Sequence, residues 1–300
     1  GLLDDGQVAV LEMAAAAGLP MVGERRDPSR TTTYGLGELL LHAVENGARR
    51  IILGLGGSAT NDGGCGAAAA AGVRFLDRDG RAFVPVGGTL RDIAGIDMTG
   101  LDPRLRGIEL TAMCDIDNPL FGENGAAYVF GPQKGADEAM VRELDEGLRH
   151  LAGVIRRDTG ADVSLLPGSG AAGGMGAGMA AFFGAQLRSG IETVLDVTGF
   201  DSAAAGADYI FTGEGKLDSQ SLRGKVVIGV ARRTAKLGVP VIAIVGGADY
   251  GAEAAWAEGV TAVFTTNRLP QDFALLRPHS EENLVFTFRN ILRTLKAAGK

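Results

Sequence analysis

Two cysteines in 300 residues, Cys65 and Cys114, are too few and too widely spaced for a disulfide framework or a cysteine-based metal site. That scarcity points to a reducing compartment, and a cytoplasmic protein is the expectation. Basic charge is also short: 29 Lys and Arg stand against 36 Asp and Glu, a formal net charge of −7. Nucleic-acid binding draws on a basic footprint, so this balance argues against it. No apolar stretch approaches the ~20 residues of a membrane-spanning helix, so no membrane partner is expected either. His42, His150 and His279 lie far in sequence from every polar cluster, and no Ser-His-Asp pattern is visible. Aromatic residues make up only 6% of a chain that is 46% hydrophobic, so the core must be built from Ala, Val, Leu and Ile.

What is abundant is glycine, 47 residues, roughly twice ordinary usage. The glycines follow no collagen-like period. They cluster beside apolar strand-like runs, where they serve tight turns and close backbone approach.

The hydrophobic pattern alternates strand and helix. Val8–Met13 is a short apolar run, Gly35–Asn46 is helical, and Ile51–Leu55 is a buried strand. Gly64–Ala71 reads as a small-residue helix and Val73–Leu76 as a strand; residues 80–107 are loop-rich. Ile108–Cys114 and Ala126–Phe130 read as strands, and Asp137–Arg157 as a long amphipathic helix with Asp137 at its N-cap. Residues 167–187 form a second glycine-rich lead into a helix. From residue 207 onward, strands at 208–211, 239–245 and 260–265 alternate with helices at 225–237, 252–258 and 281–298. That alternation signals a parallel sheet with right-handed crossovers. The chain is therefore expected to be α/β, with a domain boundary near residue 200.

Four segments carry candidate chemistry. Gly54-Leu55-Gly56-Gly57-Ser58-Ala59 satisfies the G-x-G-x-x-G/A coenzyme fingerprint after a predicted strand, with Asp77 near the distance of a ribose partner. Thr60, Asn61, Asp62, Gly63 and Gly64 then place turn formers where the coenzyme helix should already be running. Three readings stay open: a loop holding a small anion or substrate, a dinucleotide site, and a purely structural tight turn. The second segment, Asp115-Ile116-Asp117-Asn118-Pro119, puts two carboxylates one residue apart at a strand end, where they can share a proton or a hard cation, or lie in a solvated turn. The third, Phe130 to Asp137, offers Lys134 between glycines just ahead of a helix, as an anion contact or an ordinary turn. The fourth runs from Thr212 to Lys225 beyond the carboxyl end of a strand, where α/β sheets gather ligands. Its Gly224-Lys225 is not a phosphate-binding P-loop, because the spacing from Gly215 is too long and Val226 follows the lysine. It does combine Glu214 and Asp218 with Lys216 and Lys225, the mixture of charges that metal–phosphate chemistry needs.

The segments GLGGSATNDGGCGAAAAAGVRF, CDIDNPLFGENGAAYVFGPQKGAD, GSGAAGGMGAG and TGEGKLDSQSLRGK, in this order, resemble the type-1 glycerate kinases, which phosphorylate D-glycerate with ATP. The resemblance extends over nearly the whole chain and is weakest around residues 265–280. It implies two α/β domains flanking a cleft, one Rossmann-like with a parallel sheet, the other a mixed α/β inserted domain. Residues 1–199 would be most of the inserted domain and 200–300 the C-terminal part of the Rossmann-like one. Family members carry a further N-terminal segment with a strand and a Ser-Phe-Lys-Gly-type motif, and full activity is expected to need it. The resemblance implies ATP and Mg2+ as cofactors, D-glycerate as the small-molecule partner, and 2-phosphoglycerate as the preferred product. The implied site comprises Gly56, Gly57, Ser58, Thr60, Asn61 and Asp62 for glycerate or the transferring phosphoryl group, and Asp115, Asp117 and Lys134 for catalysis. Gly213, Gly215, Gln220 and Lys225 would contact nucleotide, and Glu214 and Asp218 the metal.

Overall fold

The computed structural model describes residues 1–3, 6–218 and 221–299. They form two compact units, Gly1–Gly190 and Ile191–Lys300.

In the first unit the strands Val8–Glu12, Arg50–Gly54, Glu109–Met113 and Gln186–Arg188 lie side by side and parallel, with the short Leu2–Leu3 antiparallel on the Val8–Glu12 edge. Leu11, Leu53, Ala112 and Leu187 share one register row. Ile51, Ile52 and Leu53 are all buried, as a central parallel strand covered on both faces requires. A second, antiparallel sheet places Arg74–Leu76 between Ala82–Phe83 and Gly95–Asp97, so the region read as loop-rich contains two short strands. The low aromatic content is compensated by close helix packing. A Cβ at Gly37, on the helix Tyr34–Glu45, would collide with the Ala67 carbonyl oxygen of the helix Cys65–Ala70. The long helix Glu138–Thr159 starts where the Asp137 carboxylate accepts from Met140 N (2.8 Å) and stops at Gly160, φ 78°. Val141, Leu144, Leu148, Leu151 and Ile155 form its buried stripe.

One predicted element changes class. Ala126–Phe130 is a short helix rather than a strand. A five-residue apolar run carries no period that separates the two conformations. Its paired alanines pack as a helix against Glu138–Thr159 and Ala171–Phe183, and Pro132 prevents its continuation.

The second unit has a three-stranded parallel sheet in the order Val260–Thr265, Val241–Val245, Ile210–Thr212. Successive side chains of the central strand point to opposite faces. Val241, Ala243 and Val245 join a cluster with Val227, Ile228 and Ala231 of the helix Val226–Ala235, whereas Ile242 and Ile244 pack with Phe288, Ile291 and Leu295 of the helix Ser280–Ala297. The unit is thus a sheet covered on both faces, as its alternating pattern requires. Residues 191–204 belong with this unit. Ile191 lies where a Cβ on Gly229 would collide with it, and Arg233 pairs with Glu192, Asp196 and Asp201 at 3.1, 2.8 and 2.7 Å. The 199/200 boundary read from the sequence would leave most of these residues in the first domain.

Candidate active site

The strand Arg50–Gly54 runs into the glycine-rich loop, and no helix begins until Cys65. The loop is held by backbone contacts: Gly57 O accepts from Leu19 N (2.9 Å), and Ala59 N donates to Ala17 O (2.8 Å). Asp62 is its internal anchor. The carboxylate is fully buried and accepts from Thr33 N (2.7 Å), Thr33 Oγ1 (2.8 Å), Gly64 N (3.1 Å) and Gly66 N (3.2 Å). Burial raises its pKa above the ordinary carboxylate value, and these four hydrogen bonds oppose the shift. With its oxygens committed to Thr33, Gly64 and Gly66, Asp62 fixes the loop's shape.

Lys134 ends the turn Pro132–Lys134 and is 2% exposed. Its ammonium donates to Ser58 Oγ (2.8 Å) and Thr60 O (2.7 Å), and among the described residues no carboxylate lies within ion-pair distance. Desolvation brings its pKa down to about 8, with the negative charge of Asp62 acting in the opposite direction.

Lys134 and Ser58 line a cavity of about 410 Å3, together with Gly56, Gly57, Asp115 and Ala172. Leu19, Leu55, Met113, Ile116 and Phe130 add apolar wall. Asp115 follows the strand Glu109–Met113, and its Oδ1 accepts from Gly190 N (2.7 Å) and Ser189 Oγ (3.3 Å). Asp115 and Asp117 are both exposed, and of the two Asp115 lines the cavity; Thr60, Asn61 and Asp62 are buried and do not line it. The Thr60 hydroxyl and both polar atoms of the Asn61 amide are buried with no hydrogen-bond partner among the described residues. None of the three histidines contributes; His150, for example, bonds through Nε2 with Ile93 O (2.8 Å).

The sequence reading missed one wall. Ala172, Gly173 and Gly174 form a left-handed turn inside the helical segment Ala171–Phe183, with φ of 55°, 70° and 88°. Ala172 is the sole non-glycine residue with positive φ among those described, and it faces the cavity. Gly173 sits on the glycine-rich loop: a Cβ there would collide with Thr60 O, and Gly173 O accepts from Gly63 N (3.1 Å). The paired glycines were the available signal, since consecutive positive φ angles favour them.

The second unit carries the other predicted cluster. Gly213 passes so close to the Ile244 carbonyl that a Cβ would not fit, and Gly246 N donates to Glu214 O (3.1 Å). The loop after Ile210–Thr212 is thereby laid across the carboxyl end of the central strand, with Gly215 packed beside Gly246. Glu214 Oε1 is buried with no hydrogen-bond partner among the described residues. Asp218 Oδ1 accepts from Ser221 N (3.2 Å), Lys216 pairs with Asp249 (2.9 Å), and Lys225 is the N-cap of Val226–Ala235. Gln220 lies outside the described residues. No group of three His, Cys, Asp or Glu side chains among the described residues forms a self-sufficient metal site. Mg2+ is commonly held by one or two carboxylates plus substrate phosphates, and a Glu214 oxygen with no partner among the described residues, four positions before Asp218 in sequence, fits that donor set.

The model of the glycerate kinase family matches residues 1–296. A glycerate kinase of Bacillus cereus is 48% identical over 301 residues, covering 100% of this chain and 79% of that protein. A glycerate 2-kinase of Escherichia coli is 48% identical over 266 residues, covering 88% of this chain and 70% of that protein. A crystal structure reported as glycerate kinase 2 of Salmonella typhimurium LT2 matches with a TM-score of 0.87 at 45% identity, covering 100% of this chain and 78% of that one. No helix among the described residues is long and apolar enough to cross a membrane.

Proposed function

This chain belongs to the glycerate kinase family, and we propose that it transfers the γ-phosphoryl group of ATP to a hydroxyl of D-glycerate, with 2-phosphoglycerate as the preferred product. The observation that carries this reading is one cavity lined by a serine hydroxyl, an aspartate and a buried lysine with no carboxylate partner among the described residues. Lys134 and Ser58, with the backbone of Gly56 and Gly57, stabilise negative charge on the substrates. Asp115 orients the acceptor hydroxyl and takes its proton as that oxygen attacks the γ-phosphorus; the bond to the bridging oxygen breaks and ADP leaves. Asp115 has this role ahead of Asp117 because it lines the cavity. Catalysis then rests on positioning and electrostatics.

Glu214 and Asp218 would hold Mg2+ together with the nucleotide phosphates, and the ion supplies neutralisation of phosphate charge. Gly213, Gly215 and Lys225 are assigned to nucleotide contacts by their place beyond a parallel strand's carboxyl end, and Gln220 from the sequence resemblance alone. The two free thiols, Cys65 and Cys114, suit a cytoplasmic setting.

The test is coupled ADP release with D-glycerate and ATP-Mg2+. Glycerate-dependent turnover is expected, falling by about a hundredfold or more in Lys134→Met. Absence of glycerate-dependent ADP release overturns the reading.

A further inference from the structure

A second cavity, of about 580 Å3, lies within the second unit, where the chain leaves the strand Val260–Thr265 and enters the helix Ser280–Ala297. Thr266 N donates to Val245 O (2.9 Å), so this stretch starts at the carboxyl edge of the parallel sheet. Leu269, Leu275 and Leu276 give the cavity apolar walls. Asn283, near the start of the helix, is 6% exposed and lines the cavity, yet its amide makes no hydrogen bond among the described residues. Unlike that of Asn61, this amide is not sealed off, and it presents a donor beside an acceptor. The charges nearby are already matched. Glu282 Oε1 pairs with Arg268 (3.3 Å), whose guanidinium also stacks on Phe286, 4.2 Å from the ring centre. Glu281 and Glu282 occupy the first turn of the helix, which makes its N-terminus a poor place for a phosphate. The site suits an uncharged group with apolar faces and, on one edge, a donor next to an acceptor.

We propose that this cavity binds the adenine base of the nucleotide, with the Asn283 amide pairing to the base edge. The amide oxygen accepts from the exocyclic amine and the amide nitrogen donates to the adjacent ring nitrogen N7, the pairing by which asparagine reads adenine. The topology places the base at a suitable distance from the phosphates. The loop at Gly213–Gly215 follows the strand Ile210–Thr212, and the cavity follows Val260–Thr265, two strands further along the sheet. Two strand spacings are roughly 10 Å, a span that a nucleotide covers between its base and its phosphates. The inference rests on the nucleotide assignment already made for that loop, and it adds the place of the base and the residue that reads it.

The experiment titrates ADP and inorganic tripolyphosphate separately into the whole protein by calorimetry, with Mg2+ present. Asn283→Leu, close to the original in volume, should weaken ADP by about tenfold and leave tripolyphosphate unchanged. Because Asn283 is buried, Leu275→Ala provides a second variant at a wall position that is 62% exposed and tolerant of change. It should weaken ADP by roughly threefold or more through lost apolar contact, again without affecting tripolyphosphate. The photoreactive analogue 2-azido-ADP, whose azide lies away from the edge that Asn283 reads, should label a peptide within residues 268–283. Excess ADP should prevent that labelling. Undiminished ADP affinity in either variant, or labelling confined to other peptides, overturns the inference and leaves the phosphate assignment standing. Failure of both ADP and tripolyphosphate to bind the unaltered protein overturns the nucleotide reading of the second unit, and this inference with it.

Discussion

Lys134 Nζ lies 2.8 Å from Ser58 Oγ and 76 residues away in sequence, joining the turn after the helix Ala126–Phe130 to the loop after the central strand. The contact gives the cavity its cation, and burial sets how that cation titrates.

The first prediction concerns pH. Desolvation lowers the Lys134 pKa from 10.5 to about 8, so between these values the unfolded chain binds more protons than the folded one. Stability contributed by this site therefore rises as pH increases through about 8 toward 10.5, because burying the charged form costs free energy that the neutral form does not. Anion binding should change in the opposite sense, since the attracting charge disappears over the same range. Glycerate KM is expected to rise above pH about 8, while urea unfolding shows a stability increment that Lys134→Met lacks. A KM independent of pH across this window would exclude Lys134 as the anion's partner.

Asp62→Asn tests the loop's anchor. The carboxylate serves four donors, and an asparagine must turn its NH2 group toward some of them. A loss of roughly 1–3 kcal/mol is expected by urea denaturation, partly offset because a buried charge is also removed. Catalysis should fall with it, since the same loop presents Ser58 and Thr60 to Lys134. Unchanged stability would mean that the loop is held by its other contacts.

Much of the fold is legible in the sequence because its strands are short apolar runs bounded by glycine and its long helices have regular buried stripes. Val260–Thr265 falls on the residues read from the pattern, and Asp137 caps the helix as its side chain and spacing suggest. Ala126–Phe130 failed because five apolar residues carry no period. In the candidate site, the sequence identified side chains with useful chemistry, and the fold brings Ser58, Asp115 and Lys134 to one cavity. What it could not reveal was orientation. Asp62 looked as available as Ser58, but its oxygens are consumed by Thr33 and two glycine amides. Ala172 gave no sign at all, since alanine is an unexpected choice for a left-handed backbone.

That turn supplies a third prediction, read as a contrast between neighbours. Ala172→Gly relieves a positive φ and should be neutral or stabilising by up to ~1 kcal/mol. Gly173→Ala, at φ 70° and against Thr60 O, should destabilise by more than ~2 kcal/mol and raise glycerate KM by displacing the loop that holds Lys134. Thermal unfolding and steady-state kinetics on the two variants decide it. Equal effects would argue against the left-handed conformation.

The last prediction separates the two units by chemistry. Glu214 has a buried carboxylate oxygen with no partner among the described residues, and it belongs to the second unit, whereas the cavity and Lys134 belong to the first. If that oxygen serves a metal–nucleotide complex, Glu214→Gln keeps the shape of the side chain but removes the charge a hard cation requires. The variant is expected to need about tenfold or more Mg2+ for half-maximal ADP release, with glycerate binding by calorimetry unchanged. Stability should hold or increase slightly, because a buried acceptor lacking a partner has been replaced by a neutral group. A variant with unaltered Mg2+ dependence but weakened glycerate binding would reverse the division of labour, assigning Glu214 to the acceptor and leaving the metal to other residues.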